Sequence, residues 1–148
     1  MPWNKVLWKC GDYVTRRQKS FFNAAKAVSQ MSTFERVHIG CVVTEGNRII
    51  SSGYNSMRTH PVQKVLDKER FEEDTPHRLH AESMALIPLM NKKDINFKKC
   101  DIYVYRECKN GQLANCRPCP SCEKLIRDLG IRRIYYTTTN GFAEERWN

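Results

Sequence analysis

One segment of the sequence is the most informative about the fold. It reads Pro118-Cys-Pro-Ser-Cys-Glu-Lys-Leu-Ile-Arg-Asp-Leu129 and is followed by Gly130. It predicts a helix that ends at Gly130, because glycine often follows the last helical turn. Cys119 and Cys122 stand three positions apart at the start of this helix, so their side chains can point the same way. The positive end of the helix dipole favours the thiolate forms that bind metals.

A histidine supplies a third ligand from a second predicted helix, which runs from 80 to 90 and is kinked or ended by Pro88. Two thiolates and an imidazole suit Zn²⁺. His80, Cys119 and Cys122 make only three ligands, and a catalytic zinc, unlike a structural one, leaves its fourth position to water. Glu82 stands two residues after His80, where its carboxylate can reach such a water, whose pKa zinc lowers toward about 7.

The rest of the chain alternates between helical and strand patterns. The sequence predicts a helix over 16–30 capped by Thr15, strands over 38–44, 48–54, 100–105 and 133–137, and a short charged helix over 63–72. It also predicts a short strand near 112–115, entered through a turn at Asn110-Gly111. The order α-β-β-α-β-α-β predicts an α/β fold: a three-layer α/β/α sandwich around a mixed sheet of about five strands.

Composition and charge limit the kinds of protein that this chain can be. The 148 residues fit one domain, and 25 Lys and Arg against 16 Asp and Glu give a net charge of +9, which suits a phosphate-bearing partner. The odd number of cysteines, seven, argues against a closed disulfide framework. The first residues lack the apolar core of a signal peptide, and no apolar run reaches the roughly 20 residues of a membrane span. We therefore expect a cytoplasmic protein with no membrane partner.

The combination of His80-Ala81-Glu82 with Pro118-Cys-Pro-Ser-Cys122 resembles the H-x-E…P-C-x-x-C signature of the zinc-dependent cytidine/deoxycytidylate deaminase superfamily. The resemblance covers residues 21–138. It implies a cytidine deaminase-like fold and a single zinc-dependent deaminase domain over 1–148. It also implies Zn²⁺ as cofactor, activity as a zinc-dependent hydrolase of cyclic amidines, and assembly as a homo-oligomer.

The resemblance also implies roles for individual residues. Glu82 would move protons between a zinc-activated water, the ring nitrogen and the departing amine, so that cytosine becomes uracil and ammonia is released. The backbone around Ala81 would hold the edge of the base. Gly53-Tyr54-Asn55 looks like the family's strand-end motif, in which the asparagine contacts the sugar and base. Asn55 is otherwise read as a turn residue after a strand.

Substrate choice is less constrained by the sequence. Arg58, His60 and Arg117 are near the motifs in sequence and are candidates to hold a 5′-phosphate, with Pro118 beside them. A small phosphorylated nucleotide such as dCMP or CMP is favoured. The aromatic residues form no evident series on which the successive bases of a single-stranded nucleic acid could stack. The alternatives are a deaminase acting on cytosine or adenine within single-stranded DNA or RNA, and a non-catalytic zinc-binding module.

Two further features lie near the predicted pocket. Residues 107–117 look like an inserted hairpin relative to compact deaminases, and could shape substrate choice or an oligomer contact. A second, structural zinc is possible if His60, His77, Cys108 and Cys116 converge, although they form no close ligand pair in the sequence.

Overall fold

The computed structural model describes residues 5–9, 14–34, 36–68 and 78–146. The strands are β1 Lys5–Lys9, β2 Ile39–Glu45, β3 Arg48–Tyr54, β4 Cys100–Arg106, β5 Arg133–Thr138 and β6 Gly141–Arg146. The α-helices are α1 Arg16–Ser29, α2 Pro61–Lys68, α3 Ala81–Leu86 and α4 Pro120–Leu129, and short 3₁₀ helices cover Ile87–Leu89 and Phe97–Lys99. No helix within these described ranges is long and apolar enough to cross a membrane.

The strands form one mixed sheet in the order β1-β6-β5-β4-β2-β3, in which only β4 and β5 run parallel among the described strands. The mixed sheet is confirmed, with six strands where the sequence predicted about five. β1 and β6 were not predicted. The strand predicted near 112–115 is wrong: the hairpin turn is present, but Leu113 makes a single bridge to Glu107, and its neighbours do not continue the ladder.

The sheet is covered on both faces, which confirms the three-layer sandwich. Side chains alternate across a strand, so neighbouring residues of β2 enter different cores. Val42 packs with Phe21, Phe22 and other α1 residues, whereas Val43 packs in the larger cluster that contains residues of α3 and α4. The second of these faces carries both metal-ligand helices.

The predicted caps and turns are present where the residue types require them. The Thr15 hydroxyl accepts a hydrogen bond from the Gln18 amide at 3.1 Å, while the Gln18 side chain accepts one from the Thr15 amide. Gly130, with φ of 96°, ends α4 in the left-handed region. Pro88 lies in the 3₁₀ turn that ends α3. The helix predicted over 63–72 corresponds to α2 through Lys68, and its last four positions lie outside the described residues.

A close contact between strand and helix sets the position of α3. At Gly53 the backbone of β3 approaches α3 so closely that a Cβ there would overlap the Ala81 carbonyl oxygen and come within 2.6 Å of the Ala85 amide nitrogen. Glycine is therefore required for this strand to lie against the helix that carries Glu82.

Candidate metal centre

Three side chains from two segments of the chain meet where α3 and α4 begin. His80 directly precedes α3, Cys119 directly precedes α4, and Cys122 lies in the first turn of α4. The His80 Nδ1 atom is 3.4 Å from Cys119 Sγ and 3.3 Å from Cys122 Sγ. All three ligand atoms lie within 4.8 Å of one another.

This geometry fits zinc. A tetrahedral ion with sulfur at about 2.3 Å and nitrogen at about 2.0–2.1 Å holds those two atoms about 3.6 Å apart. The observed nitrogen–sulfur distances of 3.3 and 3.4 Å need only a small expansion to accept the ion. With three protein ligands, a fourth position is left for another ligand.

The two thiols differ in their electrostatic environment. Hydrogen bonding from Cys122 and, to a smaller extent, the His80 side chain together lower the pKa of Cys119 to about 4, against the opposing effect of burial. The pKa of Cys122 is raised, first by its hydrogen bond to Cys119 and then by complete burial. The pair thus holds one proton between two sulfurs, and a metal cation can displace that proton.

Gln63 of α2 holds His80 in place. Its side chain is fully buried, and its Oε1 atom accepts hydrogen bonds from the Ser83 hydroxyl at 2.5 Å and from the His80 amide at 3.4 Å. The Ser83 hydroxyl also accepts a hydrogen bond from the His80 amide at 3.1 Å. The backbone before α3 is therefore fixed by a buried polar network.

Arg117 fixes the segment before Cys119. Its guanidinium group contacts the Glu145 carboxylate of β6 through two nitrogens, at 2.6 and 3.1 Å, and lies 3.5 Å from the Glu123 carboxylate. The hydrogen bond to Glu145 raises the pKa of Arg117. Strand β6 is thereby tied to the segment that leads into α4.

Glu82 lies beside the metal-ligand cluster without belonging to it. Glu82 is only 5% exposed, and its carboxyl group interacts with the Cys122 thiol. Burial raises its pKa, an effect that the nearby His80 partly offsets. A carboxyl group in this environment is suited to receiving and releasing a proton.

The comparison with known protein families decides the class. The family model for the cytidine and deoxycytidylate deaminase zinc-binding region matches residues 15–138. The chain belongs to this family. It is accordingly a zinc-binding enzyme of the hydrolytic deaminase class, which confirms the resemblance stated on the two motifs.

Relatives identified by sequence agree with this assignment. An uncharacterized deaminase in the luxG 3′ region of Aliivibrio fischeri is 31% identical over 134 residues, covering 90% of this chain and 81% of that protein. Human deoxycytidylate deaminase is 32% identical over 122 residues, covering 78% of this chain. The match spans 61% of the human protein's length.

The solved structures support the fold. The dCMP deaminase of cyanophage S-TIM5 has a TM-score of 0.56 at 22% identity, with 80% of this chain and 79% of that chain covered. The cytidine deaminase of Burkholderia pseudomallei has a TM-score of 0.58 at 15% identity, with 86% and 91% covered.

The deaminase has a cavity of about 490 Å³ at this centre, within the usual range for small-molecule sites. His80, Glu82 and Cys119 line it, and so do the predicted substrate contacts Asn55 and Ala81. The Asn55 side chain also has a structural role, because its Oδ1 accepts a hydrogen bond from the Ile39 amide at 2.9 Å and its Nδ2 donates to the Val37 carbonyl at 2.8 Å.

The predicted phosphate contacts have different positions in the structure. Arg117 lines the cavity but is paired with Glu145. Arg58, His60 and Pro118 are not among the described lining residues, and the Arg58 side chain is exposed. Proximity to Asn55 in sequence does not bring Arg58 and His60 to the cavity, because the chain turns into α2 at Pro61.

Two cavity arginines were missed by the sequence reasoning. Arg78 precedes His80 by two residues, and Arg106 ends β4. Strand periodicity could have revealed Arg106, because Ile102, Val104 and Arg106 alternate toward the face that carries the zinc helices.

The possible second zinc finds no support in the part of the chain that the structure describes. There the only group of three metal-ligand side chains is the one at α3 and α4. Cys116 is buried and its sulfur contacts the Thr137 hydroxyl at 3.0 Å, while Cys108 is exposed. His77 lies outside the described residues.

Proposed function

We propose that this deaminase converts a cytosine nucleotide of the dCMP or CMP type, together with water, to the uracil nucleotide and ammonia. One observation carries the proposal. A buried carboxylate, Glu82, lines the same cavity as His80 and Cys119, next to three side chains placed to hold one zinc ion. A purely structural metal site does not need an acid beside an open ligand position.

The metal and the protein side chains have separate roles in the proposed reaction. His80, Cys119 and Cys122 would hold zinc, which when bound supplies Lewis acidity that makes a water molecule acidic near neutral pH. Glu82 accepts a proton from that water and delivers it to N3 of the cytosine ring as the water oxygen adds to C4. Glu82 then carries the second proton to the amine, which leaves as ammonia while the C4 carbonyl forms.

Burial of Glu82 serves both steps. A desolvated carboxyl group has a raised pKa, so its protonated form is more readily populated than that of an exposed glutamate. The same group can therefore act as base and as acid within one turnover.

Asn55 and Ala81 are the proposed contacts for the sugar and the base. The Asn55 amide uses one hydrogen on Val37 and one lone pair on Ile39, which leaves a second hydrogen and a second lone pair for a sugar hydroxyl. Ala81 is only 1% exposed and lines the cavity, so its backbone can contact the edge of the base.

A substrate panel tests the proposal. dCMP, CMP, deoxycytidine, dCTP and a cytosine-containing single-stranded oligonucleotide are offered in parallel, and ammonia and the uracil product are measured. We expect the highest kcat/KM for a monophosphate. A preference for the oligonucleotide would support the polynucleotide alternative instead. A zinc-loaded protein that is inert on this panel and on the corresponding adenine compounds would support the binding module.

We also propose that the enzyme assembles as a homo-oligomer, as the family resemblance implies. Light scattering coupled to size-exclusion chromatography measures its mass in solution. A mass of one chain, 17.4 kDa, at micromolar concentration would contradict this.

A further inference from the structure

We infer that Arg78 and Arg106 form the phosphate-binding part of the cavity, and that Arg117, the cavity arginine two residues before Cys119, does not. The ligand is a phosphate monoester carried by the same nucleotide whose base is deaminated. The inference rests on the proposed function and adds to it the residues that distinguish a nucleotide from a nucleoside.

Arg106 is placed on the cavity by the sheet. It is the last residue of β4 and stands opposite Ile39 in the ladder, and the Ile39 amide donates to Asn55. Its guanidinium group donates one hydrogen bond, to the Asn115 carbonyl at 3.2 Å. The structure shows no carboxylate within salt-bridge distance of Arg106 among the described residues.

Arg78 is held by contacts that leave its charge uncompensated. Its guanidinium group lies over the Phe34 ring, 5.7 Å from the centroid, and one nitrogen is 3.4 Å from the Met57 sulfur. These aromatic and thioether contacts orient the group without neutralising it. Within the described ranges, no carboxylate forms a salt bridge with Arg78.

Arg117 provides the contrast. Its guanidinium group already binds Glu145 in a two-pronged geometry and has Glu123 nearby. A phosphate at Arg117 would have to compete with the buried Glu145 carboxylate, which forms no other salt bridge among the described residues. Arg78 and Arg106 can bind a phosphate without breaking an ion pair.

The charge balance of the cavity favours an anion. Glu82 is the one carboxyl group among the described lining residues, whereas Arg78 and Arg106 are two cations without a salt-bridge partner. Guanidinium groups bind phosphate oxygens through paired, charge-assisted hydrogen bonds.

The residues that line the cavity favour a single nucleotide over a single-stranded nucleic acid. Phe34 is the one Phe, Tyr or Trp among the described lining residues, and Arg78 already lies over its ring. Proteins that bind single strands instead use aromatic side chains on which successive bases stack. The phosphate is therefore assigned to a monoester rather than to a polynucleotide backbone.

Steady-state kinetics with dCMP and deoxycytidine test the inference. The variants are Arg78→Gln and Arg106→Gln, with Arg132→Gln as a control, because Arg132 is exposed and outside the cavity. We expect each cavity variant to lose about 10- to 100-fold in kcat/KM for dCMP, the usual range for a hydrogen bond to a charged group. Turnover of deoxycytidine, which has no phosphate, stays within about twofold, and this also verifies folding.

Inorganic phosphate gives a second readout. It should compete with dCMP in the parent enzyme and compete more weakly in both cavity variants, with no change in Arg132→Gln. An equal loss for dCMP and deoxycytidine would overturn the inference, because the arginines would then act on the base or on the fold. A larger loss for a single-stranded oligonucleotide than for dCMP would also overturn it, in favour of a phosphodiester.

Failure of the proposed function is distinguishable from failure of this inference. If the parent enzyme converts neither dCMP nor deoxycytidine, the proposed function is wrong, and calorimetric titration with inorganic phosphate decides the subsite alone. Binding that weakens in Arg106→Gln supports it, and equal binding by the parent and the variant overturns it.

Discussion

The ion pair between Arg117 and Glu145 connects the last strand of the sheet to a zinc ligand two residues away from Arg117. Replacing Arg117 with glutamine removes a guanidinium group that contacts both carboxylate oxygens of Glu145, at 2.6 and 3.1 Å. The Glu145 side chain is 3% exposed, so its charge is left without its partner in a nearly dry environment. We expect this change to weaken both the fold and the metal site.

The size of the effect follows from the unequal burial of the two partners. Removing one member of a buried ion pair costs about 3–5 kcal/mol. The Arg117 side chain is 36% exposed, so water screens part of the interaction, and Glu145 also interacts with Tyr136. We therefore expect Arg117→Gln to lower the free energy of unfolding by about 2 kcal/mol, which corresponds to a fall of about 4–8 °C in Tm.

The complementary variant is expected to be milder. In Glu145→Gln the carboxamide oxygen still accepts a hydrogen bond, and the half-exposed guanidinium group is solvated, so we expect a loss of about 1 kcal/mol. Because Arg117 and Glu145 interact directly, the double variant should lose less than the sum of the two single variants.

Denaturant unfolding and zinc competition with a chromogenic chelator measure these effects. Zinc affinity should fall about 10- to 100-fold in Arg117→Gln, the range seen when the groups that support metal ligands are lost. Lys124→Gln is the matched control, because its exposed ion pair with Asp128 should contribute less than about 1 kcal/mol. If Arg117→Gln unfolded within about 0.5 kcal/mol of the parent and bound zinc equally, the positioning role would be refuted.

Other substitutions test the remaining parts of the account. Gly53→Ala should lower the free energy of unfolding, measured by chemical denaturation, by about 1–3 kcal/mol or prevent folding, because the added Cβ meets the backbone of α3. The control variant Ser52→Ala, at the exposed neighbouring position, should unfold like the parent. Thr15→Ala removes the cap of α1 and should cost about 1 kcal/mol in the same assay; no change would mean that the cap contributes nothing. Removing zinc with a chelator should lower Tm by at least about 8 °C relative to protein in a free zinc concentration of 1,000 times the Kd. An unchanged Tm would contradict a metal held between α3 and α4.

The central part of the fold could be predicted because each element has strong local patterns. The turn at Gly46-Asn47 separates β2 from β3, Thr15 begins α1, and Gly130 ends α4. The positions of Cys119 and Cys122 at a helix start followed from their spacing. These features depend on neighbours within a few residues in sequence.

Strands β1 and β6 and the substrate contacts depend on distant partners, so the sequence patterns did not show them. β6 contains Glu144 and Glu145, both buried, and two adjacent carboxylates do not resemble a strand. Arg117 was predicted to contact phosphate, but its partner Glu145 is 28 residues away in sequence and becomes its neighbour only through β6. Arg78 and Arg106 likewise reach the cavity only when the sheet and α3 are assembled.

The proposed deamination depends on proton transfer by Glu82, and a paired measurement of zinc content and turnover tests that role. Zinc content and dCMP turnover are determined for the parent enzyme and for Glu82→Gln, a variant of nearly the same shape that cannot transfer a proton. We expect about one zinc per chain in both proteins, release of one ammonia per dUMP by the parent, and a kcat lower by about 10²–10⁴ in the variant. A zinc-loaded Glu82→Gln that turned over dCMP at a rate close to that of the parent would contradict the account.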